Sequence, residues 1–444
     1  MIWKDAISNL RKSGRSDLLA GFVVSLVALP LSLGLALASN VPPLAGMMAA
    51  LSGGIVMALF GGSHVTISGP GNSLVVVTLM GVSLLGGGDL LAGYYFTLAA
   101  VVLSGILIFL AGLLRFGGLS DFFPSSAVQG MLAAIGIIIM TKQIHIMLGE
   151  MNPDGEETIG HLMNLPETFW EVVTGKFGPW VVGTGLGSLA ILVFYPRIRN
   201  SYVQAIPAPM WVVVISILIS YIFEWNDVDH PIPASYLVNV PEAPLSHLPI
   251  PNFTKIQDWI FWEVVFSLFL IATIESLLSI KGMDRLDPLQ RRSNTNKDLR
   301  SLGIANVVSG MLGGLNVVVV IARSSVNVTN GARTRWSNFF HGAIILLFLL
   351  LFRDLLVRIP LPALAAILVY TGWQLTRPEK FMKVYEVGWD QLSIFIVTLV
   401  ATLMTNLIMG ITIGILLTLF LQLYLSRSPE IILRNLFKPN AMLL

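Results

Sequence analysis

The sequence predicts an all-α polytopic membrane protein of about fourteen transmembrane segments, arranged as a 7+7 inverted repeat, with two short β-strands preceding half-helices 3 and 10. Three observations predict it. Charged residues make up 12% of the 444 positions while 55% are hydrophobic, whereas a water-facing surface draws on about a quarter of charged residues. Runs 91–114, 208–223 and 391–425 carry no charge, and roughly 20 apolar helical residues cross a hydrocarbon core about 30 Å thick. Finally, glycine-rich and β-branched breaks interrupt the third segment of each half.

Taken in order, the first seven segments read as 18–39, 44–60, 71–84, 91–114, 127–147, 180–195 and 209–223. The second seven read as 261–280, 302–314, 324–331, 339–351, 361–374, 391–407 and 410–425. The segments are too many and too alike for the first to be a cleaved signal peptide, and no small-residue cleavage pattern follows it. Lys4, Arg11, Lys12 and Arg15 precede the first segment and place residues 1–16 in the cytoplasm. Basic residues then follow even-numbered segments: Arg115, Arg197 with Arg199, the 281–300 cluster, Arg333 with Arg335, Arg377 with Lys380 and Lys383, and Arg427 with Arg434. The two long loops on the other side are acidic, with Glu150, Asp154, Glu156, Glu157, Glu167 and Glu171 in one and Glu224, Asp227, Asp229 and Glu242 in the other. One miscounted segment would scramble that alternation. Both termini are therefore expected in the cytoplasm, the second as a short tail over 427–444, and 165–175 reads as a short amphipathic helix on the outer surface. Seven segments per half make the halves inverted, a construction that places the site where discontinuous helices meet.

Both breaks have a chemistry. In the first half Val65-Thr66-Ile67 favours extended backbone and leads into Ser68-Gly69-Pro70-Gly71-Asn72-Ser73, with Pro70 suited to the first turn of a helix. In the second, Gly313-Gly314-Leu315-Asn316 leads into Val317 to Ile321, and Ala322-Arg323-Ser324-Ser325 opens another short helix. Extended backbone at this depth needs polar partners inside the protein. Two such pieces can pair, each feeding a half-helix whose free N–H groups and positive dipole end attract an anion. Arg323 adds a full charge. Two kinks with a snorkelling arginine would be the bland alternative, weakened by the matching positions of the breaks in the two halves.

Glu275 is the other polar anomaly. A carboxylate near the centre of a span costs on the order of 2.5 to 3.5 kcal/mol and so faces a partner or cavity. Ser279 lies one turn on, with Thr273 and Ser276 flanking. A coupling-ion or proton role is favoured over a purely structural ion pair with Arg323.

These residues carry a family resemblance. Asp17-Leu18-Leu19-Ala20-Gly21 with Ala28-Leu29-Pro30, Phe60-Gly61-Gly62-Ser63 with Ser68-Gly69-Pro70, 306–314, and Ala322-Arg323-Ser324 with Asn327 and Gly331-Ala332-Arg333-Thr334 resemble the SulP family of sulfate permease-like anion transporters. The resemblance runs from Asp17 to the fourteenth segment. It implies a core domain (17–117 and 258–357, segments 1–4 and 8–11) and a gate domain (118–257 and 358–426, segments 5–7 and 12–14). It further implies an anion held between the third and tenth helices, with Ser68, Gly69, Gly71, Asn72, Ile321, Ala322, Arg323 and Ser324 lining it. Glu275 and Ser279 fall where such proteins carry the acidic residue and hydroxyl tied to sodium or proton coupling, which makes Glu275 a candidate sodium ligand. A homodimer and elevator-type alternating access are implied too. Family members end in a cytoplasmic STAS domain, whereas only 427–444 follow the last segment here. Pro30-Leu31-Ser32 stands where many members have Gln-Gly after the proline, removing a polar side chain from the expected pocket.

The function read from this is secondary active transport of a small inorganic oxyanion, bicarbonate or sulfate, with sodium or protons as coupling ion, in a bacterial inner membrane. An anion channel and a nucleobase–proton symporter of the same fold are the rivals; Arg323 would be wasted on a neutral ligand. No cysteine is present, the six histidines lack metal-ligand spacing, and no Walker loop occurs, so neither enzyme chemistry nor ATP-driven transport is expected. His64 is the histidine nearest the first half-helix. The net charge of +2 implies no nucleic-acid partner.

Overall fold

The structure is a computed structural model and describes residues 2–121, 124–151, 153, 158–204, 206–225, 232–242, 244–246 and 248–426. The tail 427–444, His230, His247 and the loop acids Asp154, Glu156, Glu157, Asp227 and Asp229 lie outside the described residues.

The chain is mostly helical. In the first half run α1 (Ile2–Ala38), α2 (Pro43–Phe60), strand β1 (Ser68–Pro70), α3 (Leu74–Gly86), α4 (Leu90–Leu113), α5 (Ser125–Leu148), α6 (Thr158–Val173), α7 (Pro179–Phe194) and α8 (Ala208–Trp225). In the second run α9 (Trp259–Leu286), α10 (Thr295–Met311), β2 (Val317–Val319), α11 (Ile321–Thr329), α12 (Trp336–Leu351), α13 (Leu361–Leu375), α14 (Pro378–Val387), α15 (Trp389–Met404) and α16 (Leu407–Ser426). Every segment read from the sequence coincides with a helix, and the amphipathic stretch expected over 165–175 belongs to α6. Six of the described helices are long and apolar enough to cross a membrane, and five shorter apolar ones accompany them.

Local chemistry sets the boundaries. Proline opens α2, α7 and α14 at the first helical position, where its missing N–H costs nothing. Asp89 caps α4 by accepting from the N–H groups of Leu91 and Ala92 at 2.9 and 3.1 Å, and Asn294 caps α10 through Lys297 N at 3.0 Å. Gly87 and Gly149 end α3 and α5 in the left-handed region.

Small residues set the packing, as expected where the hydrophobic effect cannot drive helices together. Helix α4 lies so close to α10 that a Cβ on Gly105 would sit 2.8 Å from the Gly303 carbonyl; α5 approaches α13 as closely through Gly136 and Gly372. Helices α1, α2 and α12 form one packed group, joined through α2 and α10 to α3, α4 and α9. Helix α5 packs chiefly on α13 and α15, α13 also on α7, and α15 on α16.

Two details differ from expectation. The first strand is Ser68–Pro70, three residues beyond the β-branched run 65–67, and α3 starts at Leu74, so Pro70 is in the strand rather than in a helical turn. The reason is tertiary: β2 pairs antiparallel with register Ser68↔Val319, Gly69↔Val318 and Pro70↔Val317. Residues 2–16, read only as a cytoplasmic segment, are helical and continuous with the first span.

Candidate functional site

A two-stranded ribbon buried among helices presents the problem that any extended backbone meets in hydrocarbon: each unpaired N–H or C=O costs several kcal/mol. Here four helices supply side chains to its edges. On the β2 side, Asn306 of α10 accepts from Val317 N at 2.7 Å and donates to Val317 O at 3.0 Å, while Ser276 of α9 accepts from Val319 N at 3.1 Å. On the β1 side, Asn338 of α12 accepts from Ser68 N at 3.2 Å and donates to Ser68 Oγ at 2.9 Å. Ser324 of α11 accepts from Ile67 N at 2.8 Å and returns its proton to Val320 O at 2.7 Å. The Ser68 hydroxyl donates to Gly53 O of α2 at 2.9 Å.

Paired antiparallel, the ribbon sends the chain toward α3 from its Pro70–Val317 end and toward α11 from its Ser68–Val319 end. Arg323, on the first turn of α11, is 2% exposed, and its Nε and Nη1 have no hydrogen-bond partner among the described residues. It reaches across to β1: a Cβ on Gly69 would lie 2.9 Å from Arg323 Nη1 and 3.3 Å from Ala50 Cα. Glycine is required there for close approach, not for turn geometry. Leaving buried N–H groups unpaired costs about 1–3 kcal/mol each, more for a charged group, so the guanidinium is poised for an anionic acceptor.

Glu275, on α9, approaches the segment that joins β1 to α3. It accepts a hydrogen bond from Ser73 Oγ, immediately before α3, and a Cβ on Gly71 would come within 3.2 Å of its Oε2 and 2.4 Å of Val318 Cγ2. The carboxylate thus contacts the first half-helix rather than forming an ion pair with Arg323. Ser279 is buried one turn further along α9. Carboxylate and hydroxyl oxygens such as those of Glu275, Ser73 and Ser279 form a donor set that suits a hard cation such as sodium or, at the carboxylate alone, a proton.

The structure therefore brings Ser68, Gly69, Gly71, Arg323 and Ser324 to the ribbon, with Glu275 against it. Both hydroxyls are engaged in holding backbone. Asn72 is partly buried, whereas Ile321 and Ala322 are exposed. Ser32 is buried with no partner for its Oγ among the described residues. His64 lies in the loop between α2 and β1, where burial first and Arg291 next push its pKa down. Asn338 was not named in the sequence reading, and Ser73, Ser276 and Asn306 were named there only as parts of motifs or as neighbours of Glu275, without these roles. Ser73, which precedes α3, had a signal, being the last hydroxyl before the helix; the other three act through contacts 11 to 270 residues away in the chain.

A family model described as the sulfate permease family matches residues 15–399. The putative sulfate transporter YvdB of Bacillus subtilis (strain 168) is 30% identical over 379 residues, covering 84% of this chain and 66% of the relative. The bicarbonate transporter BicA of Picosynechococcus sp. is 27% identical over 365 residues, covering 81% and 61%. The chain thus spans about two thirds or less of the length of these curated relatives. Among solved structures, the transmembrane domain of a cyanobacterium bicarbonate transporter BicA matches with a TM-score of 0.77 at 27% identity, covering 90% of this chain and 97% of that one. The murine Solute Carrier 26 family member A9 anion transporter in the inward-facing state matches with a TM-score of 0.74 at 15% identity, over 92% and 68% of the two chains, a likeness of fold alone.

Proposed function

The chain belongs to the sulfate permease family and is a multi-pass membrane protein, and from that premise we propose that it is a secondary active transporter of a small inorganic oxyanion, bicarbonate or sulfate, driven by sodium or protons. One observation carries the reading: Arg323 is buried with unpaired N–H groups beside Gly69, on the ribbon of β1 and β2 from whose two ends α3 and α11 lead off. A tetrahedral or planar oxyanion there gains the guanidinium, the backbone N–H groups and the positive ends of two helices.

Glu275 supplies the coupling in this reading. With a sodium ion or a proton on it, its negative charge is offset and the anion can be held nearby; without either, it repels the anion. Substrate and driving ion then bind together, which is the requirement for symport. α1 to α4 with α9 to α12 would move as a core carrying the site, against a gate of α5, α7, α8, α13, α15 and α16, and the working unit would be a homodimer in a bacterial inner membrane with cytoplasmic termini.

Purified protein in liposomes tests this. Uptake of labelled bicarbonate or sulfate that follows an imposed sodium or proton gradient with fixed stoichiometry supports a symporter. Current independent of either gradient would make the protein a channel, and uptake of uracil in place of both anions would make it a neutral-solute carrier.

A further inference from the structure

Two cavities, of about 440 and 860 Å³, have Asn40, just past the end of α1, and Lys142 with Gln143 on α5 in common among their lining residues. They lie at the end of the molecule where α1, α3, α5 and α15 finish. The larger one is lined along α3 from Val75 and Val77, in its first turn, to Leu84, and also by Thr402 to Ile408 and by Glu263 of α9. It therefore borders the first turn of α3, the half-helix next to the candidate site.

Lys142 donates to Asn40 Oδ1 at 2.8 Å and to Ala38 O at 3.5 Å. Two of the three N–H groups of its ammonium thus have partners, both on the C-terminal end of α1. Gln143 is 2% exposed, and its Nε2 has no partner among the described residues although it lines both cavities. A cation and an unpaired amide donor, adjacent in sequence and bordering the same space, are a costly arrangement in a membrane interior. Capping α1 explains the lysine alone. It does not explain a buried amide with an unpaired N–H beside it.

We propose that Lys142, Gln143 and Asn40 form a second anion subsite, at which a small inorganic oxyanion is held in the vestibule before it reaches the starts of α3 and α11. The inference rests on the transport reading above. Charge-assisted bonding from Lys142 and a neutral N–H from Gln143 take two oxygens of the anion, and Asn40 fixes the ammonium through its side-chain carbonyl. Glu263, which also lines the larger cavity, repels the anion, and that repulsion limits how tightly it is held. A transit site needs that weakness.

The test combines uptake and binding. In liposomes, Lys142→Met raises the half-saturation concentration for labelled bicarbonate or sulfate about tenfold, the size expected from losing one charge-assisted bond, and the loss appears there rather than in the maximal rate. Lys142→Arg restores most of it. Gln143→Leu separates the proposal from helix capping: relieving an unpaired buried amide raises the melting temperature, yet half-saturation still rises about threefold. Unchanged half-saturation in both variants, or a fall in maximal rate alone, overturns the subsite. If the parent protein transports neither anion, the transport reading fails, and binding decides the subsite by itself. Stabilisation of Arg323→Ala against heat by bicarbonate or sulfate, lost when Lys142→Met is added, supports it; no stabilisation overturns it.

Discussion

The starts of α3 and α11 are built on one backbone plan and finished with opposite side chains. Each follows a buried three-residue strand, each strand is bonded to the other and to polar side chains from neighbouring helices, and each leads into a short helix. At α11 the finish is a guanidinium aimed at the opposite strand. At α3 it is glycine at 69 and 71, with Ser73 bonded to a carboxylate from α9. The difference separates two tasks. In the transport reading, backbone supplies what both breaks share, a place for an anion, while Arg323 at the start of α11 would carry charge recognition and Glu275, reaching the start of α3 from α9, would carry coupling.

The largest expected effect comes from filling the narrow side. Gly71→Val puts atoms into Val318 and Glu275 and breaks the pairing of β1 with β2, so uptake falls below detection while the protein remains in the membrane fraction. Next is Arg323→Ala, which removes a buried charge-assisted donor; half-saturation for the transported anion should rise on the order of a hundredfold, and Arg323→Lys recovers part of it. Glu275→Gln is expected to leave anion binding within about threefold while abolishing dependence on the driving gradient, since the amide neither takes up a proton nor attracts sodium. Asn338→Leu strips β1 of two bonds without touching charge and should cost about 2–3 kcal/mol in denaturant unfolding, with affinity altered less than in Arg323→Ala. Smallest is Ser279→Ala, about twofold in the half-saturation for the coupling ion. If Arg323→Ala impaired gradient coupling and Glu275→Gln impaired anion affinity, the two tasks would be assigned the wrong way round.

Much of this was legible in the sequence because a membrane enforces it. Uncharged runs and alternating loop charge placed helices where they are found, and the two glycine-rich breaks located the ribbon, since irregular backbone is tolerated only where it is partnered. The strand at 68–70 was misplaced by three residues because β-branched composition is a local signal, whereas the register is chosen by Val317–Val319. Ser324 read naturally as an anion ligand beside Arg323; its hydroxyl in fact bonds Ile67 N and Val320 O. That Ser276, Asn306 and Asn338 hold the strands was illegible for the same reason. A hydroxyl or amide inside a helix looks alike whether it meets its own turn or a strand many residues away. Lys142, a lone base near a helix end, gave no signal until α1 and α5 were seen to meet.

Selenate, which mimics sulfate and scatters anomalously, tests the central claim most directly. In crystals grown with selenate, the account predicts an anomalous peak within hydrogen-bonding distance of Arg323 and of the backbone at Gly69 to Ser73. A peak only elsewhere, or an Arg323 side chain turned out toward lipid with β1 and β2 apart, would contradict it.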